Sequence, residues 1–148
     1  EGVLYPAAFD GVMAVGAVDK NGTIEEYSAK GKEVEIVAPG ELVKTTGFLG
    51  SEDVISGTSL AAPQVAAVAS LIWQKDLTVS ADFVRGLLDE SANLYGKCDL
   101  YGYGLVDAKY ALQHYNEYKR KYNEKAGDDK KILDSVNRSF LYNKKCGC

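Results

Sequence analysis

The chain has 148 residues, 46% of them hydrophobic and 26% charged, and 17 Lys+Arg against 21 Asp+Glu leave a net charge of −4. That length suits one ordinary globular domain with a sizeable core, and the mild acidity argues against a nucleic-acid binder that works through a general basic surface. The three cysteines are too few for a disulfide framework. No apolar run approaches the ~18 residues of a membrane span, and no secretory leader pattern opens the chain.

In chain order, the run from Gly11 to Val18 is apolar and β-branched and closes on Asp19-Lys20-Asn21-Gly22, which predicts a buried strand ending in a turn. Val34-Glu35-Ile36-Val37-Ala38 predicts a second strand, stopped by Pro39-Gly40, and Leu42 to Thr46 a third, more exposed one. From Ser59 to about Lys75 small and apolar residues recur at helical spacing (Val65, Val68, Ala69, Ile72). That helix is apolar nearly all round, which predicts burial on every side. Ser80-Ala81-Asp82-Phe83 reads as an N-cap and first turn, with Val84, Leu87 and Leu88 on one face. Gly104 to Tyr122 predicts a last long amphipathic helix with Ala111, Tyr115, Tyr118 and Tyr122 on one stripe, and Ile132, Leu133, Val136 and Phe140 repeat that spacing. Alternating strands and helices with buried strands predict an α/β fold with a mainly parallel sheet.

Charge is unevenly placed. Residues 1–115 hold 8 basic against 16 acidic side chains, and residues 116–148 hold 9 against 5. The change begins in Asn116-Glu117-Tyr118-Lys119-Arg120-Lys121 and divides the chain into a body, 1–115, and a charged, helical extension, 116–148.

One stretch carries chemistry: Ser56-Gly57-Thr58-Ser59-Leu60-Ala61-Ala62-Pro63-Gln64-Val65-Ala66. Gly57 permits a sharp turn, and Pro63 stands close to the helix start, where its missing N–H costs least. A hydroxyl at a helix N-terminus sits beside free N–H groups and the positive end of the macrodipole. An acyl-transfer nucleophile needs that environment, because an oxyanion develops there. By local physics alone Ser59 reads first as a simple N-cap.

The same segment resembles the active-serine motif of the subtilisin-like serine peptidases (subtilases), Gly-Thr-Ser-x-Ala-(Ser/Ala)-Pro-x-Val-Ala, and matches every fixed position from Gly57 to Ala66. Three further segments are similar to family motifs in the same order. They are Tyr5-Pro6-Ala7-Ala8-Phe9 with Val12 to Val18, Val37-Ala38-Pro39-Gly40, and Tyr101-Gly102-Tyr103-Gly104-Leu105-Val106-Asp107-Ala108. The resemblance covers residues 1 to about 113 and implies the C-terminal half of a doubly wound parallel-sheet subtilisin-like fold. It implies Ser59 as nucleophile, Thr58 as oxyanion support, and Leu4 and Leu60 in the substrate pocket. Triad order in the family is Asp, His, Ser, so the base and its orienting aspartate belong upstream of residue 1. The oxyanion asparagine belongs there too, since Glu1-Gly2 are similar to the end of the segment that carries it. Gln64 departs from the pattern, which commonly has histidine there.

The one histidine, His114, lies past every matched motif and reads as a surface or partly packed helical residue, not the base. Cys98, Cys146 and Cys148 read as idle thiols, with pairing to Cys98 or metal binding as alternatives; they make no recognised zinc pattern. Glu52-Asp53 and Asp128-Asp129 have no fixed ligand spacing. No metal site is expected from the residues, no cofactor is required, and calcium enters only through the resemblance.

The resemblance implies a serine endopeptidase portion that hydrolyses peptide bonds through an acyl-enzyme once joined by its missing N-terminal half, as a second chain or fragment. A protein or peptide substrate is implied, with neither nucleic acid nor a membrane span. The alternative is a pseudopeptidase that binds a peptide without cutting it. Family habit favours a secreted or cell-envelope location, and intracellular members exist. Leu4, where the family often keeps a small residue, shortens the pocket and favours small side chains at the residue before the cut. Peptides with Ala there are expected to be cleaved in preference to peptides with Phe by the complete enzyme; a Phe preference refutes the assignment.

Overall fold

The computed structural model describes residues 2–93 and 96–125, and the tail positions Ile132, Leu133, Val136, Phe140, Cys146 and Cys148 lie outside them. Strand β1 (Ala14–Val18) and strand β2 (Val34–Pro39) pair in parallel, with Val15 opposite Ile36 and Val18 opposite Pro39. Their β-branched and small residues suit a strand buried on both faces, and Ala17, Ile36, Val37 and Ala38 are fully buried. The sheet continues beyond β2 through Leu105, which bridges Val37 in parallel and Asn93 in antiparallel sense. Val37 N donates to Gly104 O at 2.9 Å, and Val106 N to Val37 O at 3.0 Å.

That pairing shortens the last helix. Gly104 to Val106 spend their backbone groups on the sheet, so α4 runs Ala108–Lys125 and not from Gly104. Asp107 caps it by accepting from Tyr110 N at 2.8 Å. The helix passes through residues 115 and 116 without a break, so the change of charge falls inside one element. Gly102, at φ 55°, makes the approach possible: a Cβ there would lie 2.2 Å from Glu35 O. A one-turn helix, α3 (Cys98–Tyr101), precedes it. Cys98 is disulfide-bonded, which removes it from the idle thiols.

Between β2 and the serine segment, strand β3 (Val43–Thr46) and a fourth strand, β4 (Glu52–Ile55), form an exposed antiparallel hairpin. The fourth strand has no apolar alternation to announce it; Glu52 and Asp53 stand where a buried face would need hydrophobes.

Helix α1 (Thr58–Gln74) buries Ala61, Val65, Val68 and Ile72 against β1 and β2. Spacings of four, three and four residues put these on one stripe. The expectation of burial all round is corrected here: Ala62, Ala66, Ala67, Leu71 and Trp73 are exposed, because the described residues pack on one side of α1 only.

Helix α2 (Ala81–Ser91) begins as the sequence predicts, with Ser80 Oγ accepting from Phe83 N at 3.1 Å. Phe83 is buried edge-on against Tyr115, Tyr118 and Tyr122 of α4, with centroid separations of 5.5, 5.1 and 5.2 Å. Gly86 lets the pair close, since a Cβ there would sit 2.2 Å from the Tyr118 hydroxyl. The end of α1 is tied to α4 by Lys119, which donates to Asp76 and, with Thr78, holds that carboxyl well below the usual carboxylate range. Arg85 of α2 is paired with the buried Glu35 of β2 and also donates to Asp10 O and Val12 O at 3.4 Å, pinning the loop before β1.

Phe83 meets three rings and fills the α2–α4 seam, so truncation leaves a cavity that rigid neighbours cannot close. Phe83→Ala is expected to cost about 3–5 kcal/mol, read as a lower denaturant midpoint at unchanged slope; a loss under about 1 kcal/mol contradicts this packing.

Candidate active site

The exit of β2 and the entry of α1 meet at two glycines. Gly40 N donates to Val18 O at 2.9 Å, and Gly57 N donates to Gly40 O at 2.8 Å. A Cβ on Gly40 would lie 2.6 Å from Ala17 Cβ and 2.9 Å from Gly57 O, so no other residue fits. A Cβ on Gly57 would stand 3.1 Å from Ser59 Oγ and crowd the hydroxyl. Ser56 closes the root of the hairpin, its Oγ accepting from Leu42 N at 2.9 Å. The turn into α1 is therefore fixed from both flanks.

Ser59 follows as the second residue of α1 and is exposed. The first turn of a helix leaves its N–H groups without intrahelical acceptors. Leu60 N is used by Gly57 O at 3.0 Å, and Ser59 N has no backbone acceptor among the described residues. A free N–H beside an exposed hydroxyl, at the positive end of a 17-residue helix, favours negative charge next to Ser59 Oγ.

Thr58 is half-buried and lines a cavity of about 480 Å³ together with Leu4, Tyr5, Pro6, Val15 and Tyr27. Leu4, 73% exposed, stands on its rim, while Leu60 is half-buried outside the lining. Thr58 and Leu4 are thus brought to one cavity, with Ser59 adjacent in sequence. His114 is placed elsewhere, on α4, where Nδ1 bonds Tyr110 O at 2.9 Å and the ring stacks on Tyr110 at 3.8 Å. Among the described residues no three His, Cys, Asp or Glu side chains converge as metal ligands. The carboxylate of Asp19 is taken by Asn21 N and Thr23 N, and that of Glu35 by Arg85.

Residues 1–129 match the family described as "Subtilase family". The chain belongs to that family. It is 44% identical over 114 residues to the thermostable alkaline protease of Halalkalibacterium halodurans, covering 76% of this chain and 31% of the relative. Against subtilisin DY of Bacillus licheniformis it is 42% identical, covering 74% and 40%. The halolysin-like extracellular serine protease Nep of Natrialba magadii is 40% identical over 74% of this chain and 20% of its own. Among solved structures, a lanthipeptide protease superposes with a TM-score of 0.69 at 33% identity, over 74% of this chain and 44% of that one. Fervidolysin from Fervidobacterium pennivorans, a keratinolytic enzyme related to subtilisin, gives 0.68 at 30%, over 74% and 20%. The chain spans about a third to two-fifths of the length of the first two curated relatives.

Sequence reasoning missed the residues that hold this subtilase turn. Gln64, noticed only as a departure, donates through Nε2 to Pro39 O at 2.7 Å and to Leu60 O at 2.8 Å. The available signal was its position, four residues after Leu60 and so on the same helical face.

Gly40→Ala forces strand end and helix start apart and is expected to cost about 1–3 kcal/mol. Gly11→Ala, where a Cβ meets nothing within 4 Å, is the control and should be near neutral. Equal melting midpoints for the two variants contradict the close approach.

Proposed function

We propose that this chain is the nucleophile-bearing part of a serine endopeptidase catalytic domain. The observation that carries the reading is Ser59: an exposed hydroxyl on the first turn of α1, with its own N–H free and its turn locked by Gly40 and Gly57. Ser59 Oγ attacks the carbonyl carbon of the scissile peptide as its proton passes to a histidine, which then protonates the leaving amine. The carbonyl oxygen becomes an oxyanion and accepts from Ser59 N–H. The acyl-enzyme is resolved by water, activated through the same histidine. Thr58 supports the oxyanion side, and Leu4, on the rim of the cavity, shapes the substrate pocket.

The histidine, its aspartate and the second oxyanion donor come from polypeptide that precedes residue 1, in the same protein or as a companion chain. Two features support such a partner. The back of α1 presents Leu71 at 45% and Trp73 at 39% exposure. The edge of β1 away from β2 is capped at Ala17 by Ser28 Oγ and Glu25 N, yet borders the cavity at Val15. A hydroxyl without its base keeps little nucleophilicity, so this chain alone is inactive. Hydrolysis needs no cofactor, and any calcium has a structural role. The charged extension read from residue 116 begins inside α4, where Tyr118 and Tyr122 still pack on Phe83 of the body. Export fits the disulfide at Cys98, since such bonds persist in oxidising compartments, and no helix among the described residues is long and apolar enough to cross a membrane.

Intact-mass spectrometry after treatment with a fluorophosphonate tests the reading. The isolated chain should remain unmodified, and the assembled protein should carry one adduct on this chain. Ser59→Ala should abolish the adduct and lower peptide hydrolysis at least about a thousandfold. An assembled protein that carries His and Asp yet neither labels nor cleaves would instead be a peptide-binding relative.

A further inference from the structure

The carbonyl of Gly40 accepts two hydrogen bonds, one from Gly57 N at 2.8 Å and one from the Tyr27 hydroxyl at 2.9 Å. One residue earlier, Pro39 O accepts from Gln64 Nε2, and the same nitrogen reaches Leu60 O, in the residue after Ser59. The Pro39–Gly40 corner is thus held by two side chains from different elements. Tyr27 comes from the loop between β1 and β2, and Gln64 from the second turn of α1. Neither Pro39 nor Gly40 has a side-chain donor of its own, and Gly57 has no Cβ to restrict its backbone. Tyr27 thus shares with Gly57 N–H the carbonyl that orients it, and Gln64 ties the residue before that carbonyl to the first turn of α1.

On the peptidase reading above, we propose that Tyr27 and Gln64 are positioning residues for Ser59, acting through the Pro39–Gly40 corner without touching the reacting atoms. A carbonyl that accepts a second hydrogen bond is held in one plane, which narrows the direction from which Gly57 N–H approaches it. Catalytic geometry tolerates only about 0.5 Å of slack, so a loosened turn costs transition-state contacts more than it costs substrate binding. Burial and the negative Glu25 and Glu41 push the Tyr27 hydroxyl up, against a smaller opposing effect of the Gly57 amide. The phenol therefore stays a donor into the alkaline range. Tyr27 is also 48% exposed and lines the cavity, so direct contact with substrate is the competing role, and the two separate kinetically.

In the assembled protein, Tyr27→Phe and Gln64→Met are each expected to lower kcat by about three- to tenfold, the worth of one net hydrogen bond, with KM within about twofold. Gln64→His, which keeps a ring N–H donor, should recover most of the loss. Amide hydrogen exchange at Gly57 should quicken by a similar factor in Tyr27→Phe and Gln64→Met, and this readout needs no activity. A raised KM at unchanged kcat overturns the proposal, as does a fall in kcat without faster exchange at Gly57, or a lowered melting midpoint with both unchanged. If the wild-type protein fails to react with a fluorophosphonate while exchange at Gly57 still quickens in both variants, the peptidase reading fails and the role of the two residues in the turn stands.

Discussion

The hydrogen bond from Gly57 N to Gly40 O, 2.8 Å long, is the joint on which the site hangs. It welds the carboxyl end of a buried parallel strand to the amino end of a helix that is buried on one side. Parallel strands buried on both faces resist displacement, so β2 supplies a fixed reference. Helix α1 is referred to it twice: by this backbone bond and by the stripe Ala61, Val65, Val68 and Ile72 packed on β1 and β2. Glycine at 40 is a steric demand, since a methyl there would strike Ala17 and Gly57, while a methyl at 57 would press on the Ser59 hydroxyl at 3.1 Å. Ser59 inherits its position from these contacts, and the helix supplies the field around it.

The remaining body keeps β2 in place. Glu35 points from β2 to Arg85 of α2, which reaches back to the carbonyls of Asp10 and Val12. On the opposite edge of β2, Leu105 continues the sheet, and Gly102 allows the backbone to pass close to Glu35. The aromatic seam of Phe83 with Tyr115, Tyr118 and Tyr122 fastens α2 to α4. These contacts are distant from Ser59 yet fix the strand that carries its anchor.

Much of this was legible in the sequence, for identifiable reasons. The cores of β1 and β2 show as β-branched runs, Ser80 as an N-cap, and the stripe of α4 as tyrosines at helical spacing. The start of α4 was not legible, because Gly104 to Val106 are taken into the sheet by Val37, nearly seventy positions earlier, and periodicity has no view of such a partner. Strand β4 escaped because its four residues are all exposed. The face of α1 carrying Leu71 and Trp73 misled in the other direction: apolar composition predicts cover, and the described residues provide it on one side only. At the site, Ser59 and Gly57 stood out through an extended motif. Tyr27 did not, because it bonds to a backbone carbonyl thirteen positions away, an interaction with no sequence period, and Gln64 showed only its place four residues after Leu60.

A high-resolution structure of the assembled protein after phosphonylation tests the account most directly. It predicts a covalent bond from Ser59 Oγ to phosphorus, a phosphonyl oxygen within about 2.7–3.1 Å of Ser59 N, and the Gly57–Gly40 bond intact. Phosphorus bound to any other residue, or an oxygen turned away from the start of α1 with the Gly57–Gly40 bond broken, would contradict it.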